Sequence, residues 1–255
     1  MATKKAESGT LHIDALKQGR ISLRLIGMTP MYFNAMSAKA KRSLLIGGGK
    51  KTAAQRKEIK HNPEEEFWSS VYRHDHEDTF LCFPAAGVKA GMAIAALETP
   101  GVTKKSVERL VFLPEMRIRI WGKPYLKMDV VRSADINKTP DIRTRAFLPR
   151  WCSEIDIAYI TPTLNPTSII SLVGNAGLIC GLGDFRQEKG KGSFGTFYVA
   201  GGEGHLSKDD QSAWDTITAE GRDVQKAAME APEYADEETA ELMALIDEER
   251  LVRAA

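Results

Sequence analysis

NPTSIISLVGNAGLICG (residues 165–181) has the pattern of a helix that leads directly into a glycine-rich loop and then a strand. Asn165 is a residue type that caps helix N-termini, and Pro166 is favoured at the first helical position. The loop GLGDFRQEKGKGSFG (181–195) follows. GTFYVA (195–200) predicts a strand, because β-branched and aromatic residues favour extended backbone. We therefore expect a helix, a long charged loop and a strand at the end of the folded core.

The segments before residue 165 predict the other elements of an α+β core. RISLRLIGMTPMYF (20–33) alternates apolar and polar residues, which predicts a first strand that ends at Thr29-Pro30. PAAGVKAGMAIAALE (84–98) predicts a helix with Pro84 in its first turn. Further strand patterns lie at 78–83, at 106–122 and in two runs within 142–160. This order of strands and helices matches a ferredoxin-like α+β fold, so we expect that fold class.

Two excursions interrupt the predicted core, which spans residues 19–200. Residues 1–18 are polar and predict a flexible N-terminus. Residues 34–66 carry many basic side chains around a triple glycine, and we expect a basic insertion with two short helical pieces. Residues 122–142 are rich in Asp, Lys, Asn and Pro, which predicts a long loop or a β-hairpin.

The C-terminal segment opposes the rest of the chain in charge. Of 34 acidic and 35 basic side chains, 15 and 5 lie in residues 201–255, a balance of −10, while the other 19 and 30 give residues 1–200 a balance of +11. We expect two acidic helices in the tail, at 207–229 and 236–251. A basic body indicates a surface for polyanions, and the acidic tail either competes for that surface or packs on the core.

Composition limits the class of protein. A chain of 255 residues with 43% hydrophobic and 27% charged residues is typical of a globular protein with a sizeable core. No apolar run reaches the roughly 18 residues that a membrane span requires. Three widely spaced cysteines predict reduced core residues rather than disulfides, so we expect a cytoplasmic protein without a secretory signal.

Two motifs that resemble ligand sites fail on spacing. GGGKKT (47–52) is not a P-loop, because Leu44 stands where the first glycine belongs and Lys51 follows Lys50 in place of Ser or Thr. RHDHED (73–78) has two histidines at a spacing that suits a metal, but no second cluster supplies the remaining ligands. We expect a polar turn there, and neither a metal nor another cofactor.

Catalysis has little support in the sequence. No nucleophile elbow and no cysteine–histidine context is present. Asp135 and Asp141 lie in the 122–142 segment, where carboxylates of a metal-dependent nuclease could be placed. Solvated loop charges are the more common explanation, so we expect binding without cleavage and keep the nuclease as an alternative.

The glycine-rich loop has the composition of a nucleic-acid-binding loop. Arg186, Lys189 and Lys191 supply positive charge for phosphates, and Phe185 and Phe194 supply faces on which bases stack. Glycines permit backbone angles that other residues avoid and allow a ligand to approach the main chain. They stand at positions 181, 183, 190, 192 and 195.

Three motifs together resemble the RAMP superfamily of CRISPR-associated proteins. In that family a first strand ends near a Thr-Pro pair, as at Thr29-Pro30 here. A helix then starts with Pro, small residues, an apolar residue, a basic residue and Gly, as from Pro84 to Gly91. A glycine-rich loop with basic residues lies near the end of the core, as from Gly181 to Gly195. The resemblance covers roughly residues 20–200.

The resemblance implies a ferredoxin-like, RRM-related core that coats single-stranded RNA, often as a filament in which an insertion such as 34–66 reaches the neighbouring subunit. The loop is longer and more charged than the family's loop, which leaves RNA and single-stranded DNA both open. A phage or mobile-element relative is an equal possibility, and a non-catalytic phage structural or assembly protein is an alternative. The candidate nucleic-acid-binding residues are Lys39, Lys41, Arg42, Lys50, Lys51, Arg56, Lys57, Lys89, Arg143, Arg145, Arg186, Lys189, Lys191, Gly192, Phe194 and Gly195.

Overall fold

The computed structural model describes residues 15–46, 61–132, 140–189, 192–201 and 206–254, which form ten strands, eight α-helices and a 3₁₀ turn at Gln187–Lys189. The strands are β1 (Lys17–Gly27), β2 (Met31–Tyr32), β3 (Tyr72–Arg73), β4 (Leu81–Pro84), β5 (Val111–Phe112), β6 (Arg117–Trp121), β7 (Tyr125–Arg132), β8 (Pro140–Leu148), β9 (Cys152–Thr161) and β10 (Phe197–Ala200). The helices are α1 (Ala38–Ile46), α2 (Pro63–Ser69), α3 (Ala85–Ala95), α4 (Lys104–Leu110), α5 (Pro166–Ile179), α6 (Lys208–Thr218), α7 (Arg222–Glu230) and α8 (Glu237–Ala254).

The larger sheet has seven strands in the order β10-β1-β9-β6-β4-β3, with β5 also paired to β9. Its pairs are antiparallel, and the longest joins β1 to β9, from Lys17 opposite Thr161 to Ile26 opposite Cys152. The apolar alternation predicted for β1 is confirmed, because Leu23 and its neighbours on that face belong to the main core. The chain is a mixed helix-and-strand protein built on antiparallel sheets.

The smaller sheet has the order β2-β8-β7. The β-hairpin expected within 122–142 is present in part, since β7 and β8 pair from Tyr125 opposite Phe147 to Arg132 opposite Pro140. Leu126 lies on the buried face and is fully covered. The opposite face of this sheet carries aromatic and charged side chains.

Helices α3 and α5 pack side by side where small residues meet. A Cβ added at Gly91 of α3 would lie 3.7 Å from the Cβ of Cys180, just after α5. The predicted cap of α5 is confirmed, because the Asn165 side chain accepts a hydrogen bond from the Ser168 backbone N–H at 2.8 Å. The predicted α3 is also confirmed, although Pro84 is its N-cap residue and not part of its first turn.

Two secondary-structure predictions were wrong. Residues 104–110 form helix α4 and not the start of a strand. The Thr103 side chain caps this helix, and the side chain of Val107 within it is fully buried. The tail has three helices and not two, because the first ends at Thr218 and Gly221 forms the N-cap of the next. The insertion at 34–66 is described only at its ends, in α1 and the start of α2; residues 47–60 lie outside the described ranges.

The acidic tail packs on the core. Gln225 of α7 is fully buried and makes four hydrogen bonds that join β4 to β6. Its side-chain oxygen accepts from the N–H groups of Phe80 and Leu81 at 2.9 and 3.0 Å, and its amide donates to the carbonyls of Ile120 and Gly122 at 2.8 and 3.0 Å. The tail therefore completes the hydrogen bonding of the larger sheet.

A second apolar cluster joins α6 to one end of that sheet. Trp214 is 8% exposed and its ring lies 5.8 Å from that of Trp121, while the Arg24 guanidinium lies 4.9 Å from the Trp214 ring. The Tyr198 hydroxyl donates to Asp210 at 2.6 Å. The apolar side of α6 is thus buried, Asp210 bonds to the sheet, and Asp209 and Asp215 are exposed. None of the described helices is both long enough and apolar enough to cross a membrane.

Candidate nucleic-acid interface

The glycine-rich loop lies against the segment that connects β1 to β2. The backbone N–H of Asp184 donates to the Tyr32 carbonyl at 2.9 Å, and that of Gly195 donates to the Pro30 carbonyl at 2.7 Å. The Leu182 N–H donates to the Gly195 carbonyl at 2.8 Å and brings the two ends of the loop together. The loop is therefore held by main-chain hydrogen bonds at both ends.

The glycines of the loop allow it to close on itself. Gly195 has a φ of +72°, and a Cβ there would lie 1.7 Å from the carbonyl oxygen of Leu182. A Cβ at Gly192 would lie 1.4 Å from the carbonyl oxygen of Phe185. Both glycines are buried. Because these two residues have no side chain, the backbone of the loop itself packs where a Cβ would lie. They do not open the main chain to a ligand from solvent.

Arg145 connects the loop to the smaller sheet. Its side chain is 6% exposed, and its guanidinium donates to Asp184 of the loop and to Asp129 of β7, each at 2.8 Å. The guanidinium also lies 4.6 Å from the ring centroid of Tyr32. Burial and the neighbouring Asp129 raise the pKa of Tyr32. Arg145 holds the loop in place, and a phosphate at this guanidinium would have to displace two carboxylates.

An aromatic cluster lies on the loop beside this ion pair. Phe194 packs edge-on against Tyr32 with ring centroids 4.9 Å apart, and Tyr32 contacts Phe147 at 5.0 Å. Phe185 stacks on Phe194 at 5.8 Å with an interplanar angle of 28°. Phe185 has a φ of +52°, a region that costs non-glycine residues about 1–2 kcal/mol, and its side chain is 45% exposed. The ring of Phe185 is therefore partly exposed to solvent, and the backbone that carries it is strained.

We call Tyr32, Phe147, Phe185, Phe194, Arg143 and Arg145 the loop surface. Arg143 is exposed on β8, opposite Asp129 of β7. Because strand side chains alternate between faces, Arg143 and Arg145 lie on the same face of the smaller sheet. The structure therefore brings Arg145 and both predicted phenylalanines together with Tyr32, which the sequence did not indicate. Arg143 lies two residues away on the same sheet face.

Other predicted residues have different surroundings. Arg186 forms an ion pair with Glu188 at 3.0 Å. Lys89 donates to the Glu108 carbonyl at 2.9 Å and lies 5.6 Å from the Phe112 ring, on the side of α3 that faces α4 and β5. Lys41 is exposed on α1. Lys50, Lys51, Arg56, Lys57 and Lys191 lie outside the described residues, as do the side chains of Lys39, Arg42 and Lys189.

The groups considered for catalysis are engaged in pairs or buried. Asp141 lies 3.3 Å from Nε2 of His61, whose Nδ1 lies 3.0 Å from Glu66; Asp135 is outside the described residues. Burial raises the pKa of Cys82 to about 11 and that of Cys152 to about 12, so both are protonated thiols at neutral pH. In the described part of the chain, no group of three His, Cys, Asp or Glu residues is arranged to hold a metal ion.

The three motifs of the sequence resemblance are neighbours in space. Thr29 accepts a hydrogen bond from the Thr196 N–H at 3.0 Å, so the Thr-Pro pair contacts the end of the loop. Cys180, just before the loop, contacts the Gly91 carbonyl of the helix motif through its thiol at 3.4 Å. Segments that are far apart in sequence therefore form one region of the structure.

Comparison of the sequence with family models finds no match, and comparison with curated proteins finds none either. Among solved structures, the chain is weakly similar to the crystal structure of Cmr6 from Pyrococcus furiosus. The identity is 8%, the alignment covers 71% of this chain and 98% of that chain, and the TM-score is 0.37. A likeness of this size establishes neither a shared fold nor a shared function.

Proposed function

We propose that the protein binds single-stranded nucleic acid through the loop surface, without sequence preference over most of the bound strand. The observation that carries this proposal is the exposed ring of Phe185, which is stacked on Phe194 and held by a strained backbone. Aromatic faces are sequence-tolerant platforms because every base has a π-face. Strained backbone is found preferentially where function requires it.

A ferredoxin-like core is part of this proposal. The strand order β10-β1-β9-β6 and the helices α3 and α5, packed against each other, support it. In chain order these elements run β1, α3, β6, β9, α5 and β10, which is the βαββαβ order of that fold. The smaller sheet and the tail are then additions to the core.

The cations of the chain would supply the phosphate contacts. Residues 1–200 have a balance of +11, and the exposed Lys41 on α1 follows β2 by only a few residues. Arg143 is the exposed cation of the loop surface itself. Contacts of this kind bind any sequence and weaken as salt is added, because counterions are released from the strand.

We also propose that copies of the protein assemble along the bound strand, as RAMP backbone subunits do. Leu44, Leu45 and Ile46 at the end of α1 are 74%, 85% and 73% exposed. Consecutive exposed apolar side chains of this size mark a contact surface for another chain. Light scattering with and without an oligonucleotide tests this step: the Leu45→Glu variant should stay monomeric on a strand that the parent protein covers as an oligomer.

The Phe185→Ala variant tests the binding proposal. Removing a stacking face costs about 1–3 kcal/mol per base, so we expect affinity for a labelled oligonucleotide to fall about tenfold or more. Phe112→Ala is the matched control, because Phe112 is 41% exposed on β5 and lies on different elements. Equal affinity of the two variants and the parent protein would remove the loop surface from the binding site.

A further inference from the structure

A charged cleft lies away from the loop surface, between the turn after β3 and the start of β6. Its volume is about 500 Å³, and it is lined by His74, Glu77, Glu115, Met116, Arg117 and Arg119. Both arginines lie on β6, and Arg119 pairs with Glu154 at 3.3 Å and lies 3.8 Å from Asp78. Met116 is 90% exposed at the mouth of the cleft.

The cleft has a polar atom that needs a partner. Nε2 of His74 is buried, and no group in the described part of the chain bonds to it. Burial lowers the pKa of His74, Glu77 opposes that effect, and Arg117, Arg119 and Arg222 lower the pKa further. The lowered pKa favours the neutral imidazole. Buried polar atoms without partners are rare in folded proteins, and a ligand is one explanation for such an atom.

Glu115 and Glu77 are the acidic residues of the cleft lining. Burial raises the pKa of Glu115, Arg119 opposes that effect, and Asp156, Glu77 and Glu154 raise the pKa further. The lining therefore offers a ligand hydrogen-bond donors from the arginines and acceptors from the carboxylates. A ligand that fits this cleft carries an anionic group at one end and a hydrogen-bond donor at the other.

We propose that the cleft binds one nucleotide whose base carries an exocyclic amino group. The phosphate would lie at Arg117 and Nε2 of His74, and the base would donate its amino hydrogens to Glu115 beside the apolar side chain of Met116. Arginine suits phosphate because its fork of N–H groups bonds two oxygens at once, and a carboxylate accepts from the amino group of cytosine. The inference rests on the proposed function and adds one base-reading position to a surface that otherwise binds any sequence.

Cytosine and uracil provide the sharpest test, because cytosine has an amino group where uracil has a carbonyl. We expect the full-length protein to bind oligo(C) about tenfold more tightly than oligo(U) of equal length, measured by fluorescence anisotropy above neutral pH. In the Glu115→Gln variant the preference should disappear, since the new amide can also donate to the uracil carbonyl. Glu98→Gln, at an exposed position after α3, is the matched control and should keep the preference. Arg117→Ala should weaken both oligomers alike, with the melting temperature checked for each variant.

The outcomes separate this inference from the proposed function. Equal binding of oligo(C) and oligo(U) by the parent protein would overturn the inference and leave the proposed function standing. A preference that survives in Glu115→Gln would also overturn it. If no oligonucleotide binds but CMP binds more tightly than UMP in calorimetry, the cleft takes a free nucleotide, and only the proposed function fails. If neither oligonucleotides nor CMP bind, both fail.

Discussion

The glycine-rich loop (181–195) and the C-terminal helices (206–254) both stand out in the sequence as charged segments, but they have different surroundings in the structure. In the tail, Gln225 and Arg222 are directed inward: Gln225 joins β4 to β6, and Arg222 donates to the carbonyls of His74 and Thr79 at 3.1 and 3.4 Å. The loop is also tied inward, through Asp184, but it leaves the ring of Phe185 exposed. The C-terminal helices therefore stabilise the fold, whereas the loop is fixed by internal contacts and keeps one aromatic ring exposed.

The difference shows that charge composition does not identify a binding surface by itself. Arg143 and Arg145 are two residues apart on β8, yet one is exposed and the other is buried between two carboxylates. A polyanion can reach the first without breaking any ion pair in the loop surface. Under the proposed function, the residues that bind the strand are those left free by internal pairing. Measuring stability and affinity separately tests this.

The largest effect is expected in the tail, from Gln225→Ala. The change leaves two N–H groups and two carbonyls of the sheet without partners, and each lost hydrogen bond to a buried group costs about 1 kcal/mol. We expect the free energy of unfolding to fall by about 4 kcal/mol in urea titration. Gln211→Ala is the control, because the side chain of Gln211 donates to Asp215 one turn away on α6 and not to the sheet, and the change should affect stability little. A tail that is only tethered to the core would give equally small changes for both.

The next effect separates Arg145 from Arg143. Removing one partner of a buried ion pair is strongly destabilising, so Arg145→Gln should lower the free energy of unfolding by about 3 kcal/mol. Arg143→Gln should leave stability unchanged, and it should flatten the plot of log affinity against log salt by about 0.7 for single strands. If the salt slope is the same in the parent protein and in Arg143→Gln, Arg143 makes no phosphate contact.

A glycine pair tests whether the loop's conformation is required by packing. Gly195→Ala should destabilise the protein by about 2 kcal/mol or more, because the residue is left-handed and its Cβ would meet the Leu182 carbonyl. Gly174→Ala should instead stabilise it by up to about 1 kcal/mol, since Gly174 lies in α5 with open space where a Cβ would go. Thermal unfolding of both variants decides this. Equal, small shifts would mean that the loop rearranges freely.

The smallest effect concerns the contact of α8 with α2. Arg250 donates to both oxygens of Glu64 at 2.8 and 2.7 Å, and these hydrogen bonds lower the pKa of Glu64 below its ordinary value of 4.5. The pKa is lowered in the folded state, so the stabilisation is complete above pH 4.5 and is lost as pH falls toward the folded pKa. The denaturation midpoint of Glu64→Gln should therefore decline less below pH 4.5 than that of the parent protein. Arg250→Met should flatten the decline in the same way, and an unchanged decline in both would show that the pair does not contribute.

Local signals in the sequence predicted much of the fold, and the contacts between distant segments are what they could not predict. The alternation in β1, the cap of α5 and the glycine-rich loop all depend on residues within a few positions of one another. The misassigned helix α4 has a local signal, the Thr103 cap, and a tertiary one, the burial of Val107 in the core. The position of α7 depends on tertiary packing, because Gln225 docks on β4 and β6.

The candidate site shows the same limit. Phe194, Arg143 and Arg145 were identified because aromatic and basic residues suit nucleic acid, and the structure places them on one surface. Tyr32 and Asp184 were not identified, because their roles depend on contacts across long sequence separations; Asn34 and Asp184, for example, are 150 residues apart. The burial of Arg145 between two carboxylates has the same origin.

The most direct test of the account is to find where a nucleic acid lies on the protein. An oligonucleotide that carries photoreactive 4-thiouridine can be cross-linked to the full-length protein, and the modified peptides identified by mass spectrometry. The account predicts cross-links in the peptides that contain Phe185, Phe194 and β8, and their loss in the Phe185→Ala variant. Cross-links found in the helices of 206–254 and absent from the loop, or an oligonucleotide that does not bind at all, would contradict it.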